Sequence, residues 1–78
     1  MYYVYSLKCK EGYYIGCTDG IVARLDRHHK GQVPATASRQ PISLEFYLAI
    51  EDRHIAFKFE KYLKSGSGRA FTKKHIVQ

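Results

Sequence analysis

One arginine, one histidine, one glutamate and an unusual number of tyrosines are the side chains here whose types and positions can do chemistry. Seven tyrosines stand among 78 residues, and a phenol packs its ring while still offering a proton donor or acceptor. Arg24 and His28 lie four positions apart, in a stretch where Ile21, Val22, Leu25, His28 and His29 recur at spacings of three and four. With Ile21 as the origin of a helical wheel, Arg24 falls about 60° and His28 about 20° from the apolar stripe. Both therefore sit at the boundary between core and solvent. Glu60 flanks a second stripe, Ile55, Ala56, Phe59, Tyr62 and Leu63, where a carboxylate can be held by its neighbours and still reach a metal. The ordinary alternative is a solvated Arg24–Glu60 ion pair with His28 as a half-buried filler.

Two other patterns carry less. Gly66-Ser67-Gly68-Arg69-Ala70-Phe71 imitates a dinucleotide fingerprint, but Phe71 stands where the third glycine is needed and the segment follows a helix. His28, His29, Cys9 and Cys17 make a poor zinc set. The cysteines are eight positions apart, and adjacent helical histidines point about 100° away from each other.

The elements that must position these groups follow from periodicity and punctuation. Tyr2 to Leu7 is aromatic and β-branched, Lys8 to Gly12 is polar and ends in glycine, and Tyr13 to Gly16 resumes an apolar run. The first sixteen residues thus predict an antiparallel hairpin. Thr18 or Asp19 caps a helix over about residues 20–30, ended by Gly31. Residues 32–40 form a polar loop, Pro41 introduces a strand over 42–49, and Asp52 caps the helix that carries Glu60. In that third strand Ile42, Leu44, Phe46 and Leu48 share a face, and the apolar Tyr47 and Ala49 predict that both faces are covered. A break at Ser65 to Gly68 precedes a short final helix over 69–76. The fold class is α/β: a small three-stranded antiparallel sheet flanked by helices, in the order β-β-α-β-α-α. The length predicts a single domain over residues 1–78.

Thirteen lysines and arginines against seven acids leave a formal charge of +6, which points to a polyanionic partner. Lys30, Arg39, Lys64, Arg69, Lys73 and Lys74 are the cations placed to contact nucleic acid. Two cysteines make no disulfide framework, and lysines interrupt the first apolar stretch, so a cytoplasmic protein with reduced thiols and no membrane span is expected.

Tyr3-Val4-Tyr5 followed by Tyr14-Ile15-Gly16 resembles the paired signature of the GIY-YIG nuclease family, with Tyr3 where the family name has glycine. Arg24 stands ten residues after Tyr14 and His28 four after that, as in the family's first helix. Phe59-Glu60-Lys61-Tyr62-Leu63-Lys64 looks like its metal-binding helix, and Ser65-Gly66-Ser67-Gly68-Arg69 resembles the tail of its small bacterial members. Larger members carry an asparagine in the C-terminal segment. This chain contains none, and Arg39, Lys73 or His75 are the groups available to replace it.

The resemblance implies hydrolysis of DNA phosphodiester bonds, nicking in a repair or recombination context. Mg²⁺ or Mn²⁺ would sit on Glu60 with most of its shell as water. Arg24 would clamp the phosphate bidentately, Tyr5 and Tyr14 would orient or deprotonate the attacking water, and His28 would assist the proton transfer. A phenol with an ordinary pKa near 10 is a poor base at neutral pH, so a nearby cation must lower it; Tyr5 is the stronger candidate for that base. The implied partner is DNA, with RNA an open alternative. The protein would be a monomer or weak homodimer, with specificity from the 32–40 loop, dimerisation or a targeting protein. The competing reading is a non-catalytic nucleic-acid-binding module on the same fold. It leaves Glu60 unexplained, because a carboxylate facing a phosphate repels it. A protein-interaction domain explains neither the charge nor the Tyr-Arg-Glu set.

Overall fold

The computed structural model describes residues 1–76. Strands β1 (Tyr2–Lys8) and β2 (Tyr13–Thr18) form the hairpin, and β3 (Ser43–Ile50) pairs with the other side of β1. The three-stranded sheet has the order β2-β1-β3 with both pairings antiparallel. Helices α1 (Ile21–His29), α2 (Pro34–Ala37), α3 (Arg53–Lys64) and α4 (Gly66–His75) complete the expected architecture, with α2 as one added turn inside the 32–40 loop.

Strand β1 runs through the middle of the molecule, and its residues Val4 to Leu7 are all buried. Its pleat divides the core in two. Tyr5 and Leu7 face Ile42 and the α1 residues Ile21 and Leu25. Val4 faces Ala56 and Leu63 of α3, with Phe46, Ile50 and Phe59 at the margin. Because the strand is wrapped on both faces, it reads as a continuous apolar run with one polar interruption, Ser6.

Strand β3 departs from the alternation expected of it. Ser6 pairs with Phe46 but Leu7 with Leu44, so Glu45 is the extra residue of a β-bulge. The bulge turns Leu44 towards the α1 face and leaves Phe46 on the α3 face, whereas a regular strand would keep the two together. Nor are both faces of β3 covered: Tyr47 is 50% and Leu48 44% exposed. The apolar composition of this edge strand had pointed the other way.

Helix α4 also starts earlier than the glycines imply. Ser65 is its N-cap, accepting from the Gly68 N–H at 3.1 Å, and the helix runs from Gly66. Gly68 sits in the first turn because α4 crosses the end of α3 at very close range. A Cβ there would stand 2.6 Å from the Leu63 Cα. The glycine is needed for that approach and not for a turn.

Candidate active site

The edge strand β2 is where the chemistry gathers, and Gly16 makes the gathering possible. Tyr5 pairs with Gly16 across the hairpin, and its ring lies directly over that residue. A Cβ at position 16 would meet the Tyr5 Cζ at 2.5 Å, so any other residue would displace the phenol. Tyr14, two residues earlier on β2, projects to the same face. Its ring centroid is 6.3 Å from that of Tyr5 and 5.2 Å from that of His28. The two tyrosines and the histidine thus form one cluster.

His28 lies deeper than its place on the helical wheel predicts, with no exposed surface. The α2 turn closes over it, which a reading of 32–40 as an open polar loop does not anticipate. Its Nε2 is 2.8 Å from the Tyr5 hydroxyl and its Nδ1 2.7 Å from Oγ1 of the buried Thr36. The Thr36 hydroxyl in turn donates towards the Val33 carbonyl at 3.5 Å. Gln40 holds the His28 carbonyl at 2.7 Å.

The protons of this chain can be assigned from what each group is able to do. The Thr36 hydroxyl gives its proton to the Val33 carbonyl, so towards His28 Nδ1 it can only accept. The Tyr5 proton is therefore directed at His28 Nε2, which accepts it, and Nδ1 carries the imidazole hydrogen and donates to Thr36. Burial holds His28 below the ordinary histidine value, with Arg24, His29 and Arg27 adding to the effect, so the imidazole is neutral at pH 7. At Tyr5 the expectation of a lowered pKa is reversed. Burial pushes the phenol up to about 12, Tyr14 and Glu60 add to the rise, and Arg24 only partly offsets them. Tyr5 is a proton-holding hydroxyl, and the basic nitrogen behind it is His28.

Glu60 stands on α3, the helix that packs against the Val4 face of the sheet. Its charge helps raise Tyr5 and, after burial, also Cys17 on β2. Its ion-pair partner is Lys64 at 3.2 Å, not Arg24, with the Glu60 side chain 21% and the Lys64 side chain 56% exposed. Arg24 opens into a groove of about 340 Å³ shared with Cys17, Asp19 and Arg53. Among the described residues no three His, Cys, Asp or Glu side chains gather as a metal cluster. A single, mostly buried carboxylate whose ion-pair partner among the described residues is the exposed Lys64 suits a hard ion that keeps most of its shell as water and takes further oxygens from a phosphate. Mg²⁺ and Mn²⁺ fit that donor set.

The candidate nucleic-acid contacts are scattered. Lys64, Arg69 and Lys73 line one cavity on the α3 face, and Lys74 is exposed one position beyond. Lys30 pairs with Asp26 at 2.9 Å on the far end of α1. Arg39 clamps the hairpin loop, donating to the carbonyls of Glu11 at 2.9 Å and Tyr13 at 3.1 Å. Thr36 and Arg53 are the site residues that sequence reasoning missed. Arg53 carried a weak signal, as a cation in the first turn of the Glu60 helix. Thr36 carried none.

The profile of the GIY-YIG catalytic domain matches residues 1–74. The chain belongs to the GIY-YIG family, with its nuclease-type function. It is similar to a UPF0213 protein of Lacticaseibacillus paracasei, 38% identical over 65 residues, covering 81% of this chain and 73% of the relative. Similar UPF0213 proteins occur in Pediococcus pentosaceus, 32% identical over 81% of this chain and 68% of the relative, and in Clostridium perfringens, 36% identical over 82% and 71%. No solved structure matches the chain significantly. No helix among the described residues is long and apolar enough to cross a membrane.

Proposed function

We propose that this chain is a divalent-metal-dependent endonuclease that hydrolyses DNA phosphodiester bonds, one strand per event. The observation that carries this reading is the hydrogen-bonded series Tyr5–His28–Thr36, with the half-buried Arg24 one turn before His28 on the same helix. A pure binding module needs neither the buried neutral imidazole nor Glu60.

Each residue has a task set by its surroundings. Arg24 holds the scissile phosphate with a guanidinium that stays charged at any working pH. A water beside the Tyr5 oxygen attacks the phosphorus and gives its proton to that oxygen, as the Tyr5 hydroxyl proton passes to His28 Nε2; the P–O bond in line with the attack breaks, and the leaving ester oxygen takes a proton from solvent water. Thr36 receives the Nδ1–H and so holds the imidazole in the one orientation that can accept. Tyr14 positions the water or a phosphate oxygen. Glu60 would hold the Mg²⁺ or Mn²⁺, which supplies Lewis-acid neutralisation of the charge building on the phosphate. The protein acts on DNA in the cytoplasm, as a monomer or weak dimer, in a repair or recombination setting.

Lys64, Arg69, Lys73 and Lys74 make the phosphate contacts outside the reacting centre in this reading. Such contacts position a strand without reading it, so affinity should fall steeply with salt and vary little with sequence outside any specific subsite. For about four phosphate contacts, log K should fall with log salt with a slope of roughly −3 to −4. A titration of labelled DNA at several salt concentrations in metal-free buffer measures this. An affinity flat with salt would contradict the electrostatic account. The hydrolytic half is tested by conversion of supercoiled plasmid to open circles, which should require the divalent ion.

A further inference from the structure

On the α3 face of the sheet lies a cavity of about 490 Å³, lined among others by Ser6, Tyr13, Glu45, Lys64, Arg69 and Lys73. Its size falls in the range of small-molecule sites, roughly 300–1,000 Å³. The β-bulge places Glu45 on its wall, and the buried Ser6 hydroxyl donates to Glu45 Oε1 at 2.9 Å, fixing the carboxylate while using one of its several lone-pair sites. Arg69 and Lys73 stand four positions apart on one face of α4, brought in by the close crossing at Gly68. Lys64 joins them from the last turn of α3.

A fixed carboxylate facing three cations across one cavity is wrong for a simple anion, which Glu45 would repel. It suits a ligand with hydrogen-bond donors at one end and a phosphate at the other. Among nucleobases, guanine presents two adjacent donors, N1–H and the 2-amino group, which a carboxylate receives together. Uracil and thymine present one N–H between two carbonyls, which the carboxylate repels. Tyr13, 41% exposed at the rim, offers a ring face for stacking. Lys64 of this cavity is also the ion-pair partner of Glu60, which ties the cavity to the carboxylate of the proposed metal site.

We propose that this cavity binds one nucleotide of the substrate strand, with guanine preferred: Glu45, oriented by Ser6, accepts from the base, and Lys64, Arg69 and Lys73 hold its phosphate. The proposal rests on the reading of this chain as a nuclease and gives it a base preference next to the cut.

The test needs neither metal nor cleavage. The full chain is titrated in metal-free buffer with guanosine 5′-monophosphate, uridine 5′-monophosphate and inorganic phosphate, followed by amide NMR. A parallel arm uses thymine oligonucleotides with and without one guanine, which separates a free nucleotide from a unit of a strand. The guanosine nucleotide should shift Ser6, Ile15, Glu45, Arg69 and Lys73 and bind about tenfold or more tightly than the other two, with the same order among oligonucleotides. Glu45→Gln should remove that preference while its spectrum stays dispersed, and Arg69→Ala should weaken all nucleotides alike. Equal binding of all three ligands, shifts confined to the Arg24 groove, or an unchanged preference in Glu45→Gln would overturn the proposal. Those results leave the nuclease reading standing, and a guanine-selective protein that cuts no DNA loses that reading while keeping the pocket.

Discussion

Tyr5→Phe should slow single-turnover DNA cleavage by ~10²–10⁴-fold, the span of a proton-transfer group. The substitution keeps the ring over Gly16 and removes only the hydroxyl through which the attacking water reaches His28. Tyr14→Phe should cost about tenfold, the value of one positioning hydrogen bond. The pH profiles separate the two roles. Tyr5 keeps its proton until about pH 12, so it contributes no titration in the neutral range. The rate instead requires neutral His28, whose pKa lies below the ordinary histidine value. It should therefore rise with pH through that depressed pKa and level off below neutrality. Tyr14→Phe should keep this acid limb and Tyr5→Phe should erase it. Removing the hydroxyl also leaves His28 Nε2 buried without its donor, so Tyr5→Phe should lose about 1–3 kcal/mol of stability in a denaturant titration. Near-parental rates in both variants would remove the tyrosines from the mechanism and favour the binding module.

Glu60→Gln should reduce cleavage below detection while the fold and DNA binding survive. The amide is nearly isosteric but offers no charge to a hard cation. Glu60 is the carboxylate that reaches Tyr5 and Cys17, and no cluster of donors elsewhere among the described residues replaces it. Binding should tighten, because the substitution removes a negative charge beside the phosphate and frees Lys64 from its 3.2 Å ion pair. Circular dichroism and a salt-matched binding curve check fold and affinity. Parental cleavage by this variant would show that the ion is held elsewhere.

What the sequence discloses of this protein, and what it conceals, follow from how far each signal reaches along the chain. The β1–β2 hairpin, α1 and α3 are marked by runs and spacings within a dozen residues, and the family signature lies on those same elements. Tyr5, Tyr14, Arg24, His28 and Glu60 could therefore be named before the fold was known. The concealed features depend on pairing between distant segments. The bulge at Glu45 shows only in the pairing of β3 with β1, and it puts Leu44 and Phe46 on opposite faces. The burial of His28 depends on the α2 turn folding back eight residues later to present Thr36. The raised pKa of Tyr5 is a product of that same burial, where proximity to Arg24 alone would lower it. Gly66 and Gly68 look like a break between two helices, yet Gly68 is a packing residue inside α4 that lets Arg69 and Lys73 approach the cavity. Arg39 looks like a nucleic-acid contact in a polar loop, yet it ties that loop to the hairpin.

The central claim is that the Tyr5-His28-Arg24-Glu60 site hydrolyses DNA with a divalent ion. It is tested most directly on supercoiled plasmid, with the wild-type chain and Glu60→Gln purified identically and assayed in Mg²⁺, in Mn²⁺ and with excess chelator. The wild-type protein should give open circles with either ion and full-length linear product only after a second nick, and plasmid should stay intact with chelator or with Glu60→Gln. Plasmid left intact by the wild-type chain in both ions, or nicked equally by both proteins, would contradict the claim.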